Sequence, residues 1–164
     1  MKVIFLDIDG VLDVFISKSY LQTLLPEAVE RLKVILERTG AEVVVISTWR
    51  YGSEKYRSIC DARGIHQQEC DNWPQLVQTL EAKGMRIWDV TPWREDLPTH
   101  TAEVLCFLEE HPEVDSYVIL DDCYGDDYSG SEELRKRLVF VDALKGLQEK
   151  DVEAATEILS EFSR

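Results

Sequence analysis

The sequence predicts an α/β protein: a three-layer, doubly wound and mainly parallel sheet with helices on both faces. Two observations carry the prediction. Apolar, β-branched runs alternate with helical stretches along the chain, the order that builds a parallel sheet through crossover helices. The strongest of these runs are continuous rather than alternating, as strands covered on both faces must be. With 164 residues and neither repeat nor low-complexity linker, residues 1–164 are read as one domain with a full core.

Each element has its own signal. Residues 3–6 (VIFL) form a short buried strand. Residues 26–39 (PEAVERLKVILERT) open on Pro and place Ala28, Val29, Leu32, Ile35 and Leu36 at helical spacing, and Gly40 stops them. The run AEVVVIS, 41–47, is a second buried strand. Helices are expected over 53–63, stopped by Gly64, and over 73–83, closed by Gly84. Residues 86–90 read as a short strand leading into the loop TPWREDLPT. Residues 100–110 (HTAEVLCFLEE) read as a helix ended by His111-Pro112. Strands follow at 116–122 (SYVILDD) and 138–142 (LVFVD), and an amphipathic helix closes the chain over 149–162.

Composition narrows the function classes. A net charge of −14 repels long polyanions, so extended binding to nucleic acid is not expected, and a divalent cation is a natural guest. No apolar run reaches the length of a membrane span, so no membrane partner is expected. The N-terminal MKVIFLDID reaches an acid by residue 7, unlike a signal peptide, and the expected location is the cytoplasm. Cys60, Cys70, Cys106 and Cys123 are scattered without a CxxC pair, which fits reduced thiols. Cys60, His66 and Cys70 lack the fourth ligand and tight spacing of a zinc site.

The chemistry gathers where strands end, because ligands of such sheets lie at the carboxyl edge. The stretch FLDIDGVLD, 5–13, ends the first strand in Asp7 and Asp9, two residues apart, with Gly10 allowing a tight bend. The second strong strand ends in Ser47 and Thr48, followed by Trp49 and Arg50; the strand at 116–122 ends in Asp121 and Asp122. Any one of these residues alone reads as a cap or turn former. Together they bring four carboxylates and two hydroxyls to one edge. Clustered carboxylates repel unless a cation neutralises them, and hard oxygen ligands suit Mg²⁺. A carboxylate so held can attack phosphorus, while a second acid protonates the leaving oxygen and later deprotonates water.

These residues carry a resemblance. DIDGVL at 7–12, VVVIS at 43–47 and VILDD at 118–122 are similar to the first, second and fourth motifs of the haloacid dehalogenase-like (HAD) phosphohydrolases. The stretches FLDIDGVLD, ISTWR, DVTP, EVLCFLEE, YVILDD and VDALKGLQEKDVEAATEIL look like the small HAD domains associated with RNA-repair proteins, over nearly the whole chain. The resemblance implies a HAD-like Rossmannoid core. It implies that Asp7 is the nucleophile that becomes phosphorylated and binds Mg²⁺. Asp9 is then the general acid/base with its backbone carbonyl on the metal. Ser47, with Thr48 as its stand-in, hydrogen-bonds a phosphoryl oxygen, and Asp121 and Asp122 complete the metal site, either of them touching the ion.

The third motif departs from the family pattern. HAD enzymes place a Lys or Arg beside the nucleophile; the matching stretch here is THTAEV, with His100 in that place. Arg94 in the preceding loop and Arg50 are the alternatives, Arg50 more naturally as a phosphate contact. Gly10, Thr48, Trp49 and Arg50 are the candidate substrate contacts. Trp49 and Trp93 lie near strand ends, where a ring can stack on a base, while Trp73 and Trp88 read as packing. The acidic loop CYGDDYSG, 123–130, reads as solvated.

The segment between Leu12 and the helix at 26 is too short for a folded cap domain, so the site is expected to be open. An open site suits a phosphate on a large molecule, and the RNA-repair resemblance points to a 3′-terminal or 2′,3′-cyclic phosphate. A small-molecule phosphatase acting on nucleotides or sugar phosphates is the alternative, and a catalytically weakened binding module is a third reading.

Overall fold

The computed structural model describes residues 1–64, 67–122 and 127–161. Five parallel strands form the sheet: β1 (Lys2–Leu6), β4 (Glu42–Val45), β5 (Ile87–Val90), β6 (Ser116–Asp121) and β7 (Leu138–Phe140), in the order β5-β4-β1-β6-β7. A two-stranded hairpin, β2 (Phe15–Ile16) and β3 (Ser19–Tyr20), follows β1. The helices are α1 (Pro26–Thr39), α2 (Arg57–Arg63), α3 (Gln67–Glu81), α4 (His100–Glu110), α5 (Glu132–Lys136) and α6 (Glu149–Glu161). Among the described residues no helix is long and apolar enough to cross a membrane.

The period-two geometry of β1 divides the core in two. Ile4 and Leu6 face a cluster built with Ala28, Val29, Leu32 and Ile35 of α1, Leu76 and Leu80 of α3, and Val152, Ala155 and Leu159 of α6. Val3 and Phe5 face the opposite cluster, with Val104, Phe107 and Leu108 of α4 and Leu134 of α5. Phe5 meets Phe107 and Tyr117 edge-on, at centroid distances of 5.4 and 5.8 Å. β1 is therefore apolar on both faces, and the three-layer doubly wound architecture is the one its continuous run requires.

The register sets up the site. Leu6 pairs with Val45 on one side and with Leu120 on the other, so β1, β4 and β6 end level with one another. The backbone of Asp7 donates to Leu120 O at 2.9 Å and that of Ile46 donates to Leu6 O at 3.0 Å. Whatever follows each strand opens onto the same edge.

Four elements differ from the sequence expectation, one of them the short helix α5, whose Ser131 cap accepts from Leu134 N and which was not expected. The stretch after β4 is a 3₁₀ turn, Thr48–Gly52, and helix proper begins only at Arg57, because Ser47 Oγ caps the turn by accepting from Trp49 N. Helix α3 starts at Gln67 instead of 73, with Pro74 inside it, where the ring forgoes one backbone hydrogen bond. The β2–β3 hairpin was not expected: Ser17 and Lys18 turn with positive φ, 52° and 72°, without the glycine that normally marks such a turn. His66, the side chain of Cys70, residues 123–126 of the acidic loop and residue 162 lie outside the described residues.

Candidate active site

Asp7 leaves β1 buried among the strand ends, and the chain then turns sharply at Gly10, whose φ is +79°. A Cβ on Gly10 would lie 2.4 Å from Asp122 Oδ2 and 2.9 Å from Asp122 Cβ, so only glycine lets the two strand ends approach. Gly10 N donates to Asp13 Oδ1 at 2.7 Å, and the other Asp13 oxygen accepts from Gln22 N at 2.8 Å. The backbone amide of Gly10 is thus spent on holding the loop, which replaces its expected role as a substrate contact.

A cleft of about 160 Å³ opens at this edge, lined by Asp7, Asp9, Ser47, Thr48, His100, Asp121 and Asp122. The sequence candidates at three strand ends and the start of α4 are all brought together there. Tyr20 and Asp127 join them. Oxygens of Asp7, Asp121 and Asp122 lie within 4.8 Å of one another, the all-oxygen, partly shielded set that suits Mg²⁺.

His100 opens α4, and its Nδ1 lies 2.9 Å from Asp121 Oδ2 and 3.7 Å from Asp127 Oδ2. Burial pulls the imidazolium down, but the hydrogen bond to Asp121 and the charges of Asp121, Asp7 and Glu103 outweigh it and raise the pKa to about 9. The shift favours the cationic form of His100 at the start of α4, the position where the sequence suggests a third-motif cation. Tyr128 Oη also donates to Asp121 Oδ2, at 2.9 Å, and Tyr20 Oη donates to Asp122 Oδ2 at 2.6 Å.

The carboxylates crowd each other. Burial, then the charge of Asp121, pushes Asp7 well above the usual carboxylate range. Asp9 is pushed up to about 7 by burial and by the charge of, and a hydrogen bond with, Asp13, against the lowering effect of the Trp49 indole. A carboxyl with a pKa of about 7 can both give and take a proton near neutral pH.

Two arginines and two tryptophans do not take the places expected of them. Arg50 is fully buried: it donates to the carbonyls of Ile46 and Ser47 and pairs with Glu103 Oε1 at 2.6 Å, so its charge is consumed inside the fold and does not face the cleft. Arg94 is half-exposed and bound to Asp96, with Glu110 at 3.9 Å. Glu110 ends the helix that His100 begins, about 15 Å away along its axis. Trp49 is 1 % exposed with its ring in the core, so its faces are closed to a base; instead its Nε1 donates to Asp9 Oδ1 at 3.1 Å. Trp93 stacks on Tyr51 at 4.0 Å with the Arg63 guanidinium 5.6 Å from its ring. Trp73 and Trp88 pack against the two cores, as expected.

Sequence reasoning missed Tyr20, Tyr128, Asp127 and the function of Asp13. Asp13 carried a signal, since an Asp three residues after a turn glycine is placed to accept that glycine's N–H. Tyr20 carried none: its partner Asp122 is 102 residues away.

A parallel sheet of this order, with paired acids on the central strand and a second acid pair on its neighbour, defines a HAD-like α/β domain. The chain belongs to the family of HAD domains in Swiss Army Knife RNA repair proteins, whose model matches residues 3–152. No curated protein and no solved structure matches the chain.

Proposed function

We propose that this domain is a Mg²⁺-dependent phosphomonoesterase that works through an aspartyl-phosphate on Asp7 and acts on phosphates at nucleic-acid ends in RNA repair. One observation carries the reading: a buried carboxylate cluster, Asp7 with Asp121 and Asp122, opens to one cleft beside an acid held near neutral pKa.

An Asp7 oxygen attacks phosphorus, and the bond to the leaving oxygen breaks as Asp9 gives that oxygen its proton. Asp9, now ionised, takes a proton from water as the water attacks the phosphoryl group; the P–O bond to Asp7 breaks, and phosphate departs. The hydroxyls of Ser47 and Thr48 orient phosphoryl oxygens, and the His100 cation offsets their charge beside Asp121. Asp7, Asp121 and Asp122 would hold the ion; Mg²⁺ supplies charge neutralisation that keeps Asp7 ionised and draws in the phosphate. The polymer-end substrate is supported by the family, by the lack of a folded cap between β1 and α1, and by a surface too acidic to follow a polyanion.

The test is phosphate release from a 3′-phosphorylated RNA oligonucleotide and from a panel of mononucleotides and sugar phosphates, with Mg²⁺ or EDTA, beside Asp7→Asn. Release is expected to need Mg²⁺, to favour the oligonucleotide, and to fall on the order of a thousandfold or more in the variant. Full activity in Asp7→Asn would sink the nucleophile. Faster turnover of mononucleotides would make this a small-molecule phosphatase. Silence on every ester, from folded protein that binds Mg²⁺, would leave a binding module.

A further inference from the structure

Trp49 is held more firmly than a packing residue requires. Its 3₁₀ turn is capped by Ser47 and stapled by Arg50, which donates to the carbonyls of Ile46 and Ser47 and is itself anchored on Glu103. The ring is 1 % exposed in the core, yet its single polar atom reaches Asp9, which lines the cleft, 3.1 Å from Oδ1.

An indole N–H is a donor only. The Asp9 oxygen that faces it accepts this bond, which fixes the rotation of the carboxyl about its Cβ–Cγ bond. From this geometry we infer that Trp49 is a positioning residue for proton transfer: it fixes the plane of the carboxyl of Asp9, the acid that the hydrolase reading sets against the leaving group. The inference rests on the hydrolase reading above and goes beyond it. Its chemical consequence is selectivity for poor leaving groups. An alkoxide such as a terminal ribose oxygen must be protonated as it departs, whereas a dinitrophenolate leaves unaided.

The experiment measures kcat/KM of the Mg²⁺-loaded full chain on a 3′-phosphorylated oligonucleotide and on 2,4-dinitrophenyl phosphate, for wild type, Trp49→Phe, Asp9→Asn and the double variant. Trp49→Phe keeps an aromatic ring in the core and removes the N–H. It is expected to lose about tenfold to a hundredfold on the alkyl ester and less than about threefold on the aryl ester. In the Asp9→Asn background it should lose nothing further, since two residues acting through one proton are not additive. The Mg²⁺ Kd should not move. Equal losses on both esters, a full additional loss in the double variant or a weakened Mg²⁺ Kd would make Trp49 merely structural and overturn the assignment. If Trp49→Phe fails to fold, the benzothiophene isostere of tryptophan at this position keeps the bicyclic shape without the N–H and is read on the same pair of esters. A wild type silent on both overturns the hydrolase reading and this assignment together; an active wild type with indiscriminate loss in the variant overturns this assignment alone.

Discussion

At the scale of single residues the site is a titration problem. Asp7 and Asp9 hold their protons far more tightly in the fold than in an unfolded chain, Asp9 up to about 7 from an ordinary 3.8. An acid whose folded pKa is raised stabilises the fold below its unfolded pKa, and that contribution is lost as pH climbs through the folded value. His100, raised to about 9 from 6.5, has the same sign in a higher window. Metal-free protein should therefore lose thermal stability steadily between about pH 4 and pH 9, the Asp9 share falling below pH 7. If Mg²⁺ is the ion of the proposed site, it binds the ionised carboxylates and should raise Tm more at pH 8 than at pH 5. Melting curves in EDTA and in Mg²⁺ check both, with Asp9→Asn expected to flatten the lower part of the slope. A Tm that rises with pH in EDTA would mean that these acids are not confined as the burial of Asp7 implies.

At the scale of elements, the machinery depends on how the 3₁₀ turn after β4 is tied to α4. Arg50 and Glu103 form that tie, with side chains 2 % and 7 % exposed, and Thr91 Oγ1 donates to the second Glu103 oxygen at 3.3 Å. Removing one partner strands a buried charge. Arg50→Met should cost about 3–5 kcal/mol in denaturant unfolding, whereas Arg50→Met with Glu103→Leu should recover most of it. If Arg50→Met instead leaves stability intact and raises KM alone, Arg50 is a phosphate contact after all. The same tie shows what was legible in the sequence. β1, β4, β6 and α1 are written in continuous apolar runs or helical periodicity, so their ends, and with them Asp7, Asp9, Ser47, Asp121 and Asp122, were readable. An arginine beside a strand end looks like a phosphate ligand because nothing local shows whether it turns outward; its partner Glu103 is 53 residues away. The hairpin at 15–20 was hidden for a different reason. Its strands are two residues each and its turn uses Ser17 and Lys18, so neither periodicity nor turn chemistry marks it.

At the scale of the whole molecule, charge decides how a substrate arrives. Thirty-two Asp and Glu oppose 18 Lys and Arg, so the surface repels a polyanion at every distance that salt leaves unscreened. The only cation lining the cleft, among the described residues, is His100, and Arg50, which might have widened the positive field, is sealed in the core. On the proposed reading, attraction is local to the ion and the terminal phosphate, and every further phosphate along the chain adds only repulsion. For 3′-phosphorylated oligonucleotides of increasing length at fixed Mg²⁺, kcat/KM should therefore stay flat or fall. Added monovalent salt should raise it for the longer ones, as the screening length shrinks to about 10 Å at 0.1 M. A protein that tracks a polymer shows the opposite pattern, affinity rising with length and collapsing with salt through counterion release. Steady-state rates over a length series at two ionic strengths separate these cases. A rate that climbs with length and is lost in salt would show that this domain itself follows the polymer, and would overturn end recognition.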